Sequence, residues 1–82
     1  MNLSNNQISE REFQVLESIS FGMTVKEIAE KLYLSPHTII SYRRSLLQKL
    51  DVKNGAEMIR VAIEKGILEI RITHRTNHAM AC

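Results

Sequence analysis

The stretch Gly22-Met23-Thr24-Val25-Lys26-Glu27-Ile28-Ala29-Glu30-Lys31-Leu32-Tyr33-Leu34-Ser35-Pro36-His37-Thr38-Ile39 decides the fold, because it holds two helix starts separated by one short amphipathic run. Thr24 stands three residues before Glu27, so the hydroxyl and the carboxylate can each satisfy a backbone N–H that a helix start leaves open. Ser35 precedes Pro36, and proline suits the first helical position because the N–H it lacks has no intrahelical partner there. Val25, Ile28, Ala29 and Leu32 repeat at helical spacing between the two starts. Tyr33, Leu34 and the cap Ser35 are left to join the helices, which therefore turn sharply against one another. This is helix-turn-helix spacing.

The same signals extend in both directions. Ser9-Glu10-Arg11-Glu12 and Asn54-Gly55-Ala56-Glu57 repeat the cap-and-glutamate pattern and mark two more starts. Apolar pairs that can staple a helix entry fit at Ile8 with Phe13, Met23 with Ile28 and Leu34 with Ile39. Gly22 and Gly66 stand where a left-handed cap would close the first and last helices. The pattern predicts helices at about 10–21, 25–32, 36–50 and 55–65, an all-α fold that needs no strand. Val15, Leu16 and Ile19, the four second-helix residues above, and Ile39, Leu46, Leu47 and Leu50 are the expected core stripes.

A chain of 82 residues with 44% apolar and 24% charged residues is the size and composition of one globular domain. The expected layout is a flexible segment at 1–7, the domain at 8–68 and a mobile extension at 69–82. No apolar run is long enough to span a membrane and no leader pattern is present, so a cytoplasmic protein is expected. Cys82 is the one cysteine, which excludes an internal disulfide. The net charge of +2 is unevenly spread: residues 1–34 carry −2, residues 35–53 carry +3 and residues 54–82 carry +1. A positive excess on one short element is the pattern expected when that element faces a polyanion.

That element is the third helix. Ile39, Leu46, Leu47 and Leu50 fall on one side of it, while His37, Ile40, Ser41, Arg44 and Gln48 fall on the other. A helix entering the DNA major groove needs such a second face, with short or polar groups toward its N-terminal half and arginine to read guanine or hold phosphate. The alternative is an ordinary solvated face, for which Ile40 is an odd residue. The partial positive charge at the Ser35-Pro36 helix start suits a phosphate, which places His37 near the DNA backbone.

Ile8-Ser9-Glu10-Arg11-Glu12, Val15-Leu16, Gly22 to Ala29, Leu34 to Ile39 and Leu47-Gln48-Lys49-Leu50, taken in order, resemble the LuxR-type (GerE-type) helix-turn-helix DNA-binding domain over about residues 8–68. The resemblance implies a four-helix fold and a bacterial transcription regulator that binds double-stranded DNA. It also implies a third helix in the major groove and a homodimer through the fourth helix. Carried over by position, Ile40, Ser41 and Arg44 match base-contacting places, and Lys26, Thr38 and Lys49 match backbone-contacting ones. Four departures stand out. Ile40 occupies a place commonly held by Lys or Arg, Gly55 replaces a usual basic residue and Val25 a usual Asn. Arg43 replaces a frequent Val on the core-facing edge, where its stem can snorkel. The receiver or ligand-binding domain that most family members carry is absent from this chain, so a standalone domain is expected.

The fourth helix is apolar over too wide an arc for one core: Ile59 and Ile63 are assigned to the interior, and Met58, Val61 and Ala62 to a dimer contact. No nucleophile has a base at a recognisable spacing, so no enzyme is expected, and no cofactor, metal or small-molecule ligand is indicated. His74, His78 and Cys82 would share one side of a helix, yet incidental tail residues explain them as well. Phe21 reads as packing against a tail or marking a partner surface, and Ile67 to Ile72 reads as an extended run. A second functional class stays open, a protein-interaction module that pairs with larger LuxR-type regulators and modulates them.

Overall fold

The computed structural model describes residues 8–69. Among them lie α1 (Glu10–Ser20), α2 (Val25–Leu32), α3 (Pro36–Lys49) and α4 (Gly55–Glu64), with no strand. The expected segments at 1–7 and beyond Glu69, including Ile70 to Ile72, His74, His78 and Cys82, lie outside the described residues.

Each helix starts on the residue the sequence marks. Ser9 and Thr24 accept from the N–H groups of Glu12 and Glu27, whose carboxylates accept in return from the Ser9 and Thr24 N–H groups at 2.9 and 2.8 Å. Ser35 caps α3 by accepting from Thr38 N–H at 3.1 Å. The fourth start differs from expectation. Asn54 accepts from Glu57 N–H, but the Glu57 carboxylate takes the Lys53 N–H, one residue further back.

The helix ends share one device. Gly22, Tyr33, Asp51 and Gly66 all lie in the left-handed region, with φ of 82°, 59°, 57° and 78°. The next residues, Met23, Leu34, Val52 and Ile67, donate their N–H groups back to Ser18, Ala29, Leu47 and Ala62, which satisfies carbonyls that a helix end leaves open. All four are apolar and pack against the core. Two of these turns were visible as glycines. Tyr33 and Asp51 were not, because a side chain in this conformation is selected by the surrounding turn, not by its own preference.

α1 and α3 each pack against every other helix, and α2 rests on both. Val15, Leu16, Ile28, Ile39, Leu46 and Met58 are fully buried where the helices meet, joined by Ala29, Leu50, Ala62 and Leu68. Each large side chain so buried contributes about 1.5–3 kcal/mol of transfer free energy. Ile19, Val25, Leu32 and Leu47 stand at the margin of this core, with Tyr42 beside them.

The face assignment on α4 is corrected. Met58 and Ala62 have no exposed surface, whereas Ile59, Val61 and Ile63 are half-buried. Counting apolar residues could not orient this helix, because they cover most of its circumference. Met58 and Ala62 are one turn apart and face α1 and α3, so they belong to the core and not to a dimer contact. The expected extended run is also altered at its start. Ile67 and Leu68 both donate to Ala62 O, at 2.8 and 3.2 Å, in a turn that folds Leu68 onto the core.

Tyr33 is 93% exposed, so it loses little packing if replaced and keeps only the strain of its backbone. Tyr33→Gly is expected to raise stability by about 0.5–1 kcal/mol, while Gly66→Ala lowers it by about 1 kcal/mol. Thermal melts of the two variants check this, and a loss at Tyr33→Gly would show that the ring makes a contact that matters.

Candidate nucleic-acid interface

α3 contains no acidic residue from Pro36 to Lys49. Its buried line, Ile39 and Leu46 continued by Leu50, faces the core. His37, Ile40, Ser41, Arg44 and Gln48 are exposed, and helical spacing places them in one strip on the opposite side. Ile40 is 42% exposed, so the structure brings it together with Ser41 and Arg44 on the outer face. Thr38 is half-buried, and its hydroxyl shares a hydrogen bond with that of Ser35 at 3.0 Å. Lys26 is exposed in the first turn of α2.

The orientation of this strip depends on a group that sequence reading assigned only to a cap. Glu12 is 5% exposed. Its Oε2 accepts from Ser45 Oγ at 2.7 Å, and Lys49 Nζ donates to Oε1 at 2.8 Å and to Oε2 at 3.0 Å. With the Ser9 N–H also on Oε1, the carboxylate joins the start of α1 to one flank of α3. A signal for this was present. Glu12 lies one turn before Val15 and Leu16 on the apolar side of α1, a place where a lone carboxylate needs buried partners. Burial pushes the Glu12 carboxyl up, but hydrogen bonds from Lys49, Ser45 and the Ser9 N–H, aided by the Lys49 charge, more than offset it and hold it below the usual carboxylate value.

Lys49 has an ion-pair partner inside the fold. It was expected on the DNA backbone, yet its ammonium is held by Glu12 with its side chain 30% exposed, and its charge is compensated within the fold. Arg43, on the other flank of α3, is half-buried, and a Cβ placed on Gly55 would stand 3.8 Å from its guanidinium. Among the polar groups behind the strip, the buried Ser18 hydroxyl donates to Gln14 O at 2.9 Å and receives Lys31 Nζ at 3.4 Å, which ties α1 to α2.

The family model described as bacterial regulatory proteins, luxR family, matches residues 3–62. Among curated proteins, the uncharacterized response regulatory protein YgeK of Escherichia coli is 42% identical over 67 residues, 82% of this chain and 46% of its own length. The response regulator UvrY of the same species is 42% identical over 60 residues, which is 73% of this chain and 28% of the relative. The transcriptional regulatory protein UhpA, also from Escherichia coli, is 47% identical over 53 residues, 65% of this chain and 27% of the relative. The chain thus spans less than half the length of each of these relatives.

The Glu12 carboxyl binds its proton less readily in the folded chain than in the unfolded one. The stability it confers is complete above the ordinary carboxylate pKa, about 4.3, and is lost as pH falls through the lowered folded value. Glu12→Gln is expected to cost about 2 kcal/mol at pH 7. In urea unfolding, the gap between wild type and variant should narrow at pH 3. A gap that stays constant with pH would show that the charge is not what holds α3.

Proposed function

The chain belongs to the luxR family of bacterial regulatory proteins, and on that footing we propose that it binds double-stranded DNA as a transcription regulator, with α3 in the major groove. The observation that carries this reading is the exposed, acid-free strip of α3, which is held opposite the core and bears Arg44 at its middle. Arg44 can form a bidentate pair with guanine O6 and N7, and Ser41 can donate to or accept from a base edge. Ile40 stands between them and the helix start. Lys26 on α2, with His37 and Thr38 at the α3 N-terminus, supplies backbone contacts that set the register of the helix without reading sequence. Lys49 is left out of this set, since Glu12 already compensates its charge.

We further infer that two copies pair through α4. Of the three side chains first assigned to that contact, Val61 is the one left half-exposed. Paired copies would present two α3 helices to an inverted repeat with half-sites about 34 Å apart, one turn of the duplex. No catalytic role is proposed. The alternative role as a protein-interaction module draws on the exposed aromatics Phe21 and Tyr33, at 55% and 93% exposure.

Selection of bound fragments from random-sequence DNA, repeated across salt, tests the proposal. The affinity should fall with a log–log slope near −0.9 for each phosphate neutralised. A flat response in a folded chain favours the interaction module. Arg44→Ala should remove about 1–3 kcal/mol of preference at one base pair, whereas Lys26→Ala should weaken all sequences alike and reduce the slope by about one unit. Unchanged site preference in Arg44→Ala would remove its assignment to a base. Val61→Glu should keep the helical signal and half-site binding while abolishing cooperative binding to the inverted repeat, as read by gel shift. Retained cooperativity would place the dimer contact elsewhere.

A further inference from the structure

Phe21, Tyr33 and Ile40 are the large exposed hydrophobic side chains among the described residues. Phe21 and Tyr33 stand at helix ends, whereas Ile40 lies within the outward strip of α3. Its neighbours one turn to either side on that strip are His37 and Arg44, both exposed, and Ser41 follows it directly. Ile40 is thus an apolar spot ringed by hydrogen-bonding groups. Water gives such a spot nothing, and its side chain has no donor or acceptor with which to meet a phosphate or a base-edge polar atom. Its β-branched side chain is also stiff, with one strongly preferred χ1 rotamer in a helix, so it presents a fixed methyl surface. In the major groove the apolar group at a base edge is the C5-methyl of a pyrimidine, carried by thymine in unmodified DNA.

Resting on the DNA-binding reading above, we propose that Ile40 is a specificity-determining residue that selects a thymine by packing on its 5-methyl group. Its position relative to Arg44 limits where that thymine lies. The four-residue step along α3 spans about 6 Å, close to two base steps of about 3.4 Å each. The thymine therefore falls within about two base pairs of the guanine that Arg44 reads, toward the N-terminal end of the helix.

The test uses duplexes selected from random-sequence DNA by the full chain, with each thymine replaced in turn by uracil, which lacks only the methyl group. One position per half-site should show about a fourfold loss of affinity, the effect of one methyl-sized apolar contact. Ile40→Ala should bind the thymine and uracil duplexes equally. Cytosine and 5-methylcytosine placed at that position separate recognition of the methyl from recognition of the base pair: the methylated duplex should bind wild type more tightly and Ile40→Ala no differently. The assignment is overturned if no uracil substitution weakens wild type, or if Ile40→Ala keeps the same sensitivity. In both cases, persistence of the Arg44→Ala effect shows that the DNA-binding reading stands without it. If no duplex is enriched, both readings fall. If Ile40→Ala proves unstable, Ile40→Ser at this exposed position makes the same comparison, and a wild-type scan with no sensitive thymine overturns the assignment by itself.

Discussion

The Glu12 carboxylate fixes how α3 is turned about its own axis, and the direction of the outward strip follows from that. Ser45 and Lys49 lie one turn apart on a single flank of α3, and both donate to the same carboxylate. A buried charge is tolerated only when its lone pairs are filled, so rotating α3 away would strip Glu12 of its Ser45 and Lys49 donors as well as uncovering Ile39 and Leu46. Apolar packing alone specifies a broad range of rotations, because Leu47 and Tyr42 also pack against the core. The directional hydrogen bonds from Ser45 and Lys49 narrow that range. The same carboxylate caps α1 through Ser9, so the first helix start and the placement of the third helix are one interaction.

The connection between α2 and α3 supplies the second constraint. Tyr33 in the left-handed region, Leu34 returning its N–H to Ala29 and Ser35 capping α3 leave no loose residue in the turn. Leu34 closes one helix, precedes the cap of the next and packs against the core. The α1 to α2 connection repeats this arrangement with Gly22, Met23 and Thr24. Two tight turns of one kind therefore hold three helices in a fixed relation, and the exposed face of α3 is presented by a rigid support rather than by a loop.

Charge is divided in the same way. Lys49 and Glu12 cancel within the fold, whereas Arg44 and Lys26 point to solvent. The net charge of the 35–53 segment thus overstates what a polyanion meets, since one of its lysines is already compensated. Ile40 interrupts the polar strip where base edges would lie, and its lack of hydrogen-bonding groups narrows the partners it can have.

The helix starts and the two glycine-closed ends were legible from residues 9–66 because capping and left-handed turns are local: each is settled by side chains within four residues of one another. The core stripes of the first three helices were legible for a similar reason, as the apolar residues there, Ile40 apart, fall mainly on one side. The outward set on α3, His37, Ile40, Ser41, Arg44 and Gln48, emerged from the same periodicity. What only the tertiary structure decided was which of several locally equivalent choices the other helices select. α4 is apolar on most sides, and packing against α1 and α3 chose Met58 and Ala62 for the interior over Ile59 and Ile63. Lys49 takes its partner from Glu12, 37 residues earlier, a pairing that no local pattern records. Tyr33 and Asp51 entered the left-handed region because the packed helices on either side require the turn. Periodicity records which side chains can share a face, but which face is covered depends on residues distant in the chain.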